Sequence, residues 1–376
     1  MISIEVVNTA KRLKQFIELP FRLYADDPKW VAPLRSDMKR ILSPRHNPFF
    51  REAQIEHFLA VDGQGQAQGR ISVSIHAEYN QRFGDEHVFF GFFEVTPDPA
   101  VAQALFEAVA NWARARGKSR LLGPYSYTST QDAALLLEDL DGRPPTLLQT
   151  YNPLWYAETL KQVGFDLAFT FSTYGVDAEQ YRARRKASRS EKVLPGSQFS
   201  VRTATRADLK SNLEEIRCLF NSAFAENYEV APISQPSFKF HIDSVKAFID
   251  LEGIKLIELD GRAVAFFVIL PDLNQILSQL KGHFGLFDLF KLGRYKRSVN
   301  GAVIALIGAD PSVQGRGLGR LIGDEIVRYA EPRFERVDTM WIDDRNPSSY
   351  VLARNVGMRR TKRYGVFGLD LAEAAL

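Results

Sequence analysis

Seven residues in the last quarter of the chain, 313–319 (VQGRGLG), have types and spacing that dictate a chemistry. They follow an apolar run at 302–309 (AVIALIGA) and lead into a helix-patterned segment at 318–330. A strand, a glycine-rich turn and a helix start in that order form a socket for a pyrophosphate. Free backbone N–H groups at the helix start point at the anion, and aligned peptide dipoles add roughly half a positive charge there. Gly315, Gly317 and Gly319 let the backbone approach without Cβ atoms. They also allow left-handed dihedrals that cost other residues about 1–2 kcal/mol. Arg316 and Arg320 add mobile positive charge. An ordinary tight turn is the alternative reading of the same glycines.

The elements that must carry this turn occur twice. Asp62-Gly63 sits between FLAV and the strand-like 69–75, and Asp260-Gly261 between KLIEL and the strand-like 263–270. Asn152-Pro153 with Tyr156 returns as Asn346-Pro347 with Tyr350, and Tyr174-Gly175-Val176 as Tyr364-Gly365-Val366. The offsets are 198, 194 and 190 residues, so three landmarks keep their order and approximate spacing. This predicts a duplicated domain: 1–179, a basic linker at 180–198, and 199–376. Each copy reads as a helical start, a hairpin at Asp-Gly, a strand, a helix, a strand, a short helix and a final strand. Interleaved helices and strands with a meander at the start predict an α+β fold, a mixed α/β three-layer arrangement. The linker carries six basic residues and one acid, which suits a solvated connection or an anion contact.

Composition narrows the function. The 48 basic and 45 acidic residues nearly cancel, which gives no reason to expect a nucleic-acid partner. One cysteine, Cys218, excludes an internal disulfide and fits a reducing compartment. The N-terminus has charges where a signal peptide needs an apolar core, and no apolar run approaches the length of a spanning helix. A cytoplasmic protein, monomer or homodimer, is therefore expected. No metal-ligand spacing is present among the six histidines and the cysteine, so no metal is expected.

The QGRGLG turn resembles the acyl-CoA pyrophosphate loop of the GNAT (GCN5-related) acyltransferases, Gln/Arg-x-x-Gly-x-Gly/Ala, on Gln314, Gly317 and Gly319. The whole chain resembles a bacterial family of tandem GNAT proteins. The matching stretches are 24–34 (YADDPKWVAPL), 47–50 (NPFF), 89–95 (FFGFFEV), 151–165 (YNPLWYAETLKQVGF) and 270–275 (LPDLNQ). Some relatives are associated with N-acylation of sphingoid-type amines. The resemblance implies acyl-CoA or acetyl-CoA as co-substrate, held by Ile307, Ala309, Val313, Gln314, Gly315, Arg316, Gly317, Leu318, Gly319, Arg320 and Asn346. Only the second copy keeps the glycines. In the first, the strand runs into TPDPAVAQA (96–104), where Asp98 would repel a pyrophosphate and the prolines lack N–H donors. One donor site per chain is expected.

In that superfamily an amine attacks the thioester directly, beside a strand edge that supplies an oxyanion donor. Here the edge would belong to 302–309. The usual acid, a tyrosine seven residues after the asparagine, falls on Ala353. Tyr350 lies one turn back and about 60° off that face, so it is the candidate acid, with water as the alternative. Candidate bases are Glu94, ending an aromatic strand, and Glu226 and Tyr228, after a helix-patterned stretch at 213–224. His57 is the one histidine of interest. Each also reads as an ordinary surface or core polar group.

The second copy carries an insertion at 271–301. Ile276, Leu280, Phe284, Phe287 and Phe290 recur at helical steps, accompanied by Lys281, Lys291, Arg294, Lys296 and Arg297. It reads either as a lid with peripheral membrane contact at the inner membrane face, or as a helical pack cementing the two copies. The function expected is N-acyl transfer from a thioester to an amine, with a lipid-like acceptor. The alternatives are a small-molecule acetyltransferase and a silent acyl-CoA-binding protein.

Overall fold

The computed structural model describes residues 2–84, 86–128, 132–187, 198–225, 230–245, 249–313, 316–346, 350–351, 353–354 and 356–374. The first half opens with β1 (Ser3–Val6), α1 (Ala10–Leu23), α2 (Arg35–Ile41), β2 (Ala53–Val61), β3 (Ala67–His76) and α3 (Ala77–Phe83). It continues with β4 (His87–Val95), α4 (Pro99–Arg114), β5 (Arg120–Gly123), β6 (Leu135–Asp139), α5 (Tyr156–Val163) and β7 (Asp166–Asp177). Helix α6 (Ala178–Ala187) follows, so the basic stretch begins as helix.

The second half starts with β8 (Phe199–Thr203), α7 (Leu213–Ala223), α8 (Gln235–Val245), β9 (Ile254–Leu259), β10 (Arg262–Pro271), α9 (Asn274–Leu280) and α10 (Leu286–Ser298). Then come β11 (Gly301–Ala309), α11 (Leu318–Ala330), β12 (Arg336–Thr339), β13 (Ile342–Asp343) and β14 (Arg359–Asp370).

Local sequence explains the hairpins and helix faces. Asp260 and Gly261 both have positive φ, 52° and 78°, as a two-residue type I′ turn between β9 and β10 requires. Helix α11 buries Leu318, Ile322, Ile326, Tyr329 and Ala330 against the sheet, a stripe at steps of three and four. Glycine at 308 packs β11 tightly, because a Cβ there would stand 2.6 Å from the Phe266 ring and 2.9 Å from Ala223.

All strands join one mixed sheet in the order β1-β2-β3-β4-β5-β14-β7-β12-β11-β10-β9-β8, with β6 on β14 and β13 on β7. The final strands of the two halves are thus exchanged. Strand β14 completes the first half beside β5, and β7 completes the second beside β12. The two pair with each other at the centre. Their contacts Ser172↔Arg363 and Thr173↔Lys362 are equivalents under the 190-residue offset, as a pseudo-two-fold axis demands. Charges lock this seam. Lys362, almost wholly buried, donates to Asp139 (2.9 Å), Asp141 (2.6 Å) and the Arg143 carbonyl (2.9 Å), while Arg336 bonds Asp338 and reaches Asp141 and Asp177.

The insertion folds as two helices rather than one interrupted helix, broken where Lys281 and Gly282 take positive φ. Ile276 and Leu280 of α9 pack with Tyr295 and Leu34, and the Arg35 amide donates to the Gly282 carbonyl at 3.1 Å. This part cements the halves. Helix α10 leaves Leu286, Phe287 and Phe290 77%, 81% and 88% exposed.

Candidate active site

Both halves contain a place where two parallel strands diverge. In the second, β11 pairs with β12 only from Gly301↔Arg336 to Ile304↔Thr339, and the last link is the Met340 amide to the Ile304 carbonyl at 3.0 Å. Beyond it, 305–309 stays bonded to β10, while the other chain turns away to β13. The sheet is left open between Ala305 and Trp341.

A cavity of about 810 Å³ runs through this opening. On the α11 face it is lined by Gly323, Ile326, Ala353, Val356 and Met358. On the opposite face, under α7 and α8, it is lined by Phe220, Phe224, Phe238, Leu256, Phe266 and Val268. Met38, Ile41, Phe92, Ser126, Asp132, Leu148 and Phe171 of the first half close its other side. A β-bulge at Ala305, where Val268↔Leu306 is followed by Ile269↔Ile304, lets one cavity reach both faces: Ile304 packs with the α11 core, and Leu306 with the α7–α8 core. Few polar groups enter it. Asp208 is paired with Arg202 and Asp343 with Arg345. His241 is held neutral, burial and then Arg40 pushing it down to about 4. Trp341 brings a buried Nε1 with no hydrogen-bond partner among the described residues.

The first half's divergence is plugged. Glu94 lies there, bonded by the hydroxyls of Tyr24 and Tyr156 (the latter at 2.9 Å), with Arg70 3.8 Å away. Burial pushes its carboxyl up, and Arg70 and the two hydroxyls oppose this. The Tyr156 hydroxyl also takes the Val95 amide at 3.2 Å, the very kind of strand-edge donor an oxyanion would need. His57 bonds the Tyr127 hydroxyl at 2.8 Å; burial and then Arg70 push it down to about 4. Neither Glu94 nor His57 lines the cavity. Tyr350, the repeat equivalent of Tyr156, is 42% exposed with its ring 5.7 Å from Tyr174, and Ala353 faces the cavity instead. Glu226 and Tyr228 lie outside the described residues, as do Gln314 and Gly315.

The remaining loop residues sit at the mouth. Ile307 and Asn346 line the cavity, and Ala309 ends β11. Val313 and Leu318 are buried anchors. Asp310 fixes the turn by accepting from the Ser312 amide (3.0 Å) and from Ser222 of α7 (3.0 Å). Gly317, at φ 79°, caps α11, and a Cβ on Gly317 or Gly319 would meet open space, room that an anion can take. Arg316 and Arg320 are exposed beside them. The matching helix of the first half is capped from within: Asp98 accepts the Ala100 amide at 3.0 Å and Pro99 fills the first position. A carboxylate already stands where the second half leaves the helix start open.

Sequence reasoning placed the helix start at Leu318. It missed the cavity and Asp132, which stands in an unremarkable polar stretch before AALLL. Among the described residues, no group of three or more His, Cys, Asp or Glu is placed to hold a metal, and no helix is long and apolar enough to cross a membrane.

No protein-family model matches the chain. It is similar to a bacterial ceramide synthase of Caulobacter vibrioides, 29% identical over 374 residues and 97% of each chain. It is also similar to Protein YghO of Escherichia coli, 27% identical over 94% of this chain and 92% of that one. Among solved structures, a tandem GNAT protein from the clavulanic acid biosynthesis pathway superposes over 99% of both chains with a TM-score of 0.57 at 13% identity. A GCN5-related N-acetyltransferase from Sphaerobacter thermophilus covers 98% of this chain and 96% of its own, with a TM-score of 0.51 at 12% identity. With two diverging-strand modules in one sheet and solved structures matched along nearly its whole length, the chain has the fold of a tandem GNAT protein.

Proposed function

We propose that this protein is an N-acyltransferase that moves a long acyl chain from an acyl thioester to a lipid-like, sphingoid-type amine. One observation carries the reading: the apolar cavity of about 810 Å³ that crosses the sheet at the β11–β12 opening. That volume lies near the top of the roughly 300–1,000 Å³ range of small-molecule sites, and an acetyl group would leave most of it unfilled. The name of the Caulobacter relative, ceramide synthase, points the same way.

The second half (199–376) binds the donor, its diphosphate at the start of α11 among Gln314–Arg320 and its thioester at the opening. The first half (1–179) walls the acceptor side. The open edge of β11 supplies an oxyanion donor, an interaction whose loss typically costs about 3–4 kcal/mol. Exposed Leu286, Phe287 and Phe290, with Lys291, Arg294, Lys296 and Arg297 on the same helix, rest on an anionic membrane, each basic residue adding about 1 kcal/mol.

Thioester consumption by purified protein, with acyl-CoA donors and a panel of long-chain and small amines, tests the reading. Turnover only with small amines and acetyl-CoA would replace it with a small-molecule acetyltransferase. Acyl-CoA binding without turnover would leave a silent binding protein. Co-sedimentation with vesicles containing phosphatidylglycerol, lost in a Phe287→Ser/Phe290→Ser variant, tests the membrane contact.

A further inference from the structure

The cavity holds one carboxylate with no hydrogen-bond partner among the described residues. Asp208 and Asp343 are each forked by an arginine, but Asp132 is not. Its backbone is fixed, since its carbonyl accepts the Ser126 amide at 2.7 Å and Ala133 bridges Tyr125. Its side chain is exposed to the cavity; desolvation by the protein around that opening raises its pKa, and Arg70 partly restrains it.

Arg70 is shared. It donates to the Phe16 carbonyl at 2.6 Å, stands 3.8 Å from Glu94, and feels Asp132 as well. One buried guanidinium thus faces two carboxylates, and Glu94 is further engaged by Tyr24 and Tyr156. The remaining titratable lining is His241, which is neutral, and the two arginine-paired aspartates together with Arg345, the partner of Asp343. Among the described residues this cluster sets one cation, Arg70, against two carboxylates, and its open member is Asp132. A carboxylate facing an apolar cavity without a partner is costly once a ligand excludes water from it, so the arrangement fits a ligand that brings a positive charge of its own.

We propose that Asp132 receives the ammonium group of the acceptor and takes its proton, acting as the general base of the transfer. This rests on the acyl-transfer reading above. The ammonium gives one proton to the Asp132 carboxylate and becomes a neutral amine. The amine lone pair forms the C–N bond at the thioester carbonyl. The tetrahedral intermediate collapses by breaking the C–S bond, and the surplus proton on nitrogen passes to the departing thiolate. The products are an amide, a free thiol and protonated Asp132, which returns its proton to solvent. A carboxyl whose pKa desolvation has raised is a better proton acceptor than a solvated one.

The test compares wild type with Asp132→Asn and Asp132→Ala, checked for folding by thermal melts. Palmitoyl-CoA and sphinganine serve as substrates between pH 6 and 9, and dodecylammonium and dodecanol as binding probes. The expected result is unchanged palmitoyl-CoA affinity with kcat/KM for sphinganine lowered about 10²–10⁴-fold at pH 7. The deficit should shrink by about tenfold per pH unit, as the free-amine fraction grows below an amine pKa of roughly 10. Wild type should prefer dodecylammonium over dodecanol, and Asp132→Asn should not.

Asp132→Asn turnover within threefold of wild type at every pH would overturn the proposal. So would a wild type that binds both probes equally. If wild type consumes no thioester yet shows an Asp132-dependent ammonium preference, the transfer reading falls while amine recognition by Asp132 stands.

Discussion

Chain-length dependence gives the most direct quantitative test of the cavity. Burying one methylene contributes about 0.8 kcal/mol, close to fourfold in kcat/KM. Going from acetyl to palmitoyl adds fourteen carbons and an upper limit of roughly 11 kcal/mol. At about 30 Å³ per water-sized group, the 810 Å³ cavity accommodates on the order of 27 such groups, enough for the whole chain. The rate should therefore climb steeply with length and flatten near sixteen carbons. Val268→Trp is the informative perturbation. Val268 lies on the α7–α8 side of the cavity with Phe266 and Leu306, so an indole there fills space rather than crowding a packed core. Excluding about four terminal carbons should cost roughly 3 kcal/mol, about 10²-fold, for palmitoyl-CoA. Donors of eight carbons or fewer should stay within threefold of wild type. Thiol release with a C2–C18 acyl-CoA series provides the readout. Equal rates for acetyl and palmitoyl donors, or a uniform loss across the series in Val268→Trp, would refute the reasoning.

Three further outcomes follow from particular residues. Gly319→Asp puts a carboxylate in the first turn of α11, just inside its Gly317 cap; it should leave the melting temperature unchanged or slightly raised, by up to about 1 kcal/mol of helix-dipole stabilisation. The same variant should weaken coenzyme A binding at least tenfold by calorimetry, and unchanged affinity would remove the diphosphate from this turn. Asp272 is buried, which pushes its carboxyl up to about 6, although its Oδ1 accepts the Leu147 and Asn274 amides. The folded state then holds the proton more tightly than the unfolded one, so stability falls as pH rises from about 4 to 6, by roughly 3 kcal/mol. Asp272→Asn, which keeps the acceptor, should gain on wild type across that window and hold the gain at pH 8 in urea titrations; parallel profiles would contradict this. Lys362→Met removes the buried cation shared by Asp139 and Asp141, which keep only Lys29 and Arg336 respectively, and should cost up to about 3–5 kcal/mol, read as a lower urea midpoint.

The sequence carried those features that are written locally. Asp260-Gly261 names its own turn, the α11 stripe its own face, and Gly317–Gly319 an open helix start. Asp98-Pro99 likewise announced a helix start that satisfies itself. The landmark Tyr-Gly-Val revealed a duplication, yet nothing within it says that each copy lends its last strand to the other. Pairing between 166–177 and 359–370 spans nearly two hundred residues and depends on geometry, not on periodicity. The contrast between Tyr156 and Tyr350 was equally hidden. The same residue at the same repeat position plugs one opening and stands outside the other. Asp132 could not be singled out, because what marks it is its place on the cavity wall, where Asp208 and Asp343 are ion-paired and its own side chain has no hydrogen bond among the described residues.

The central position of β14 has a consequence for biogenesis. During synthesis the first half emerges with β5 lacking its neighbour on β14, because those partner residues are encoded about 245–250 residues downstream. An unpaired strand edge invites pairing with other chains, and contacts so distant in sequence form slowly. The nascent protein must keep this slot vacant, or shielded by a chaperone, until residue 370 has cleared the ribosome. Splitting the gene between the copies should accordingly yield two fragments that fold only when they meet.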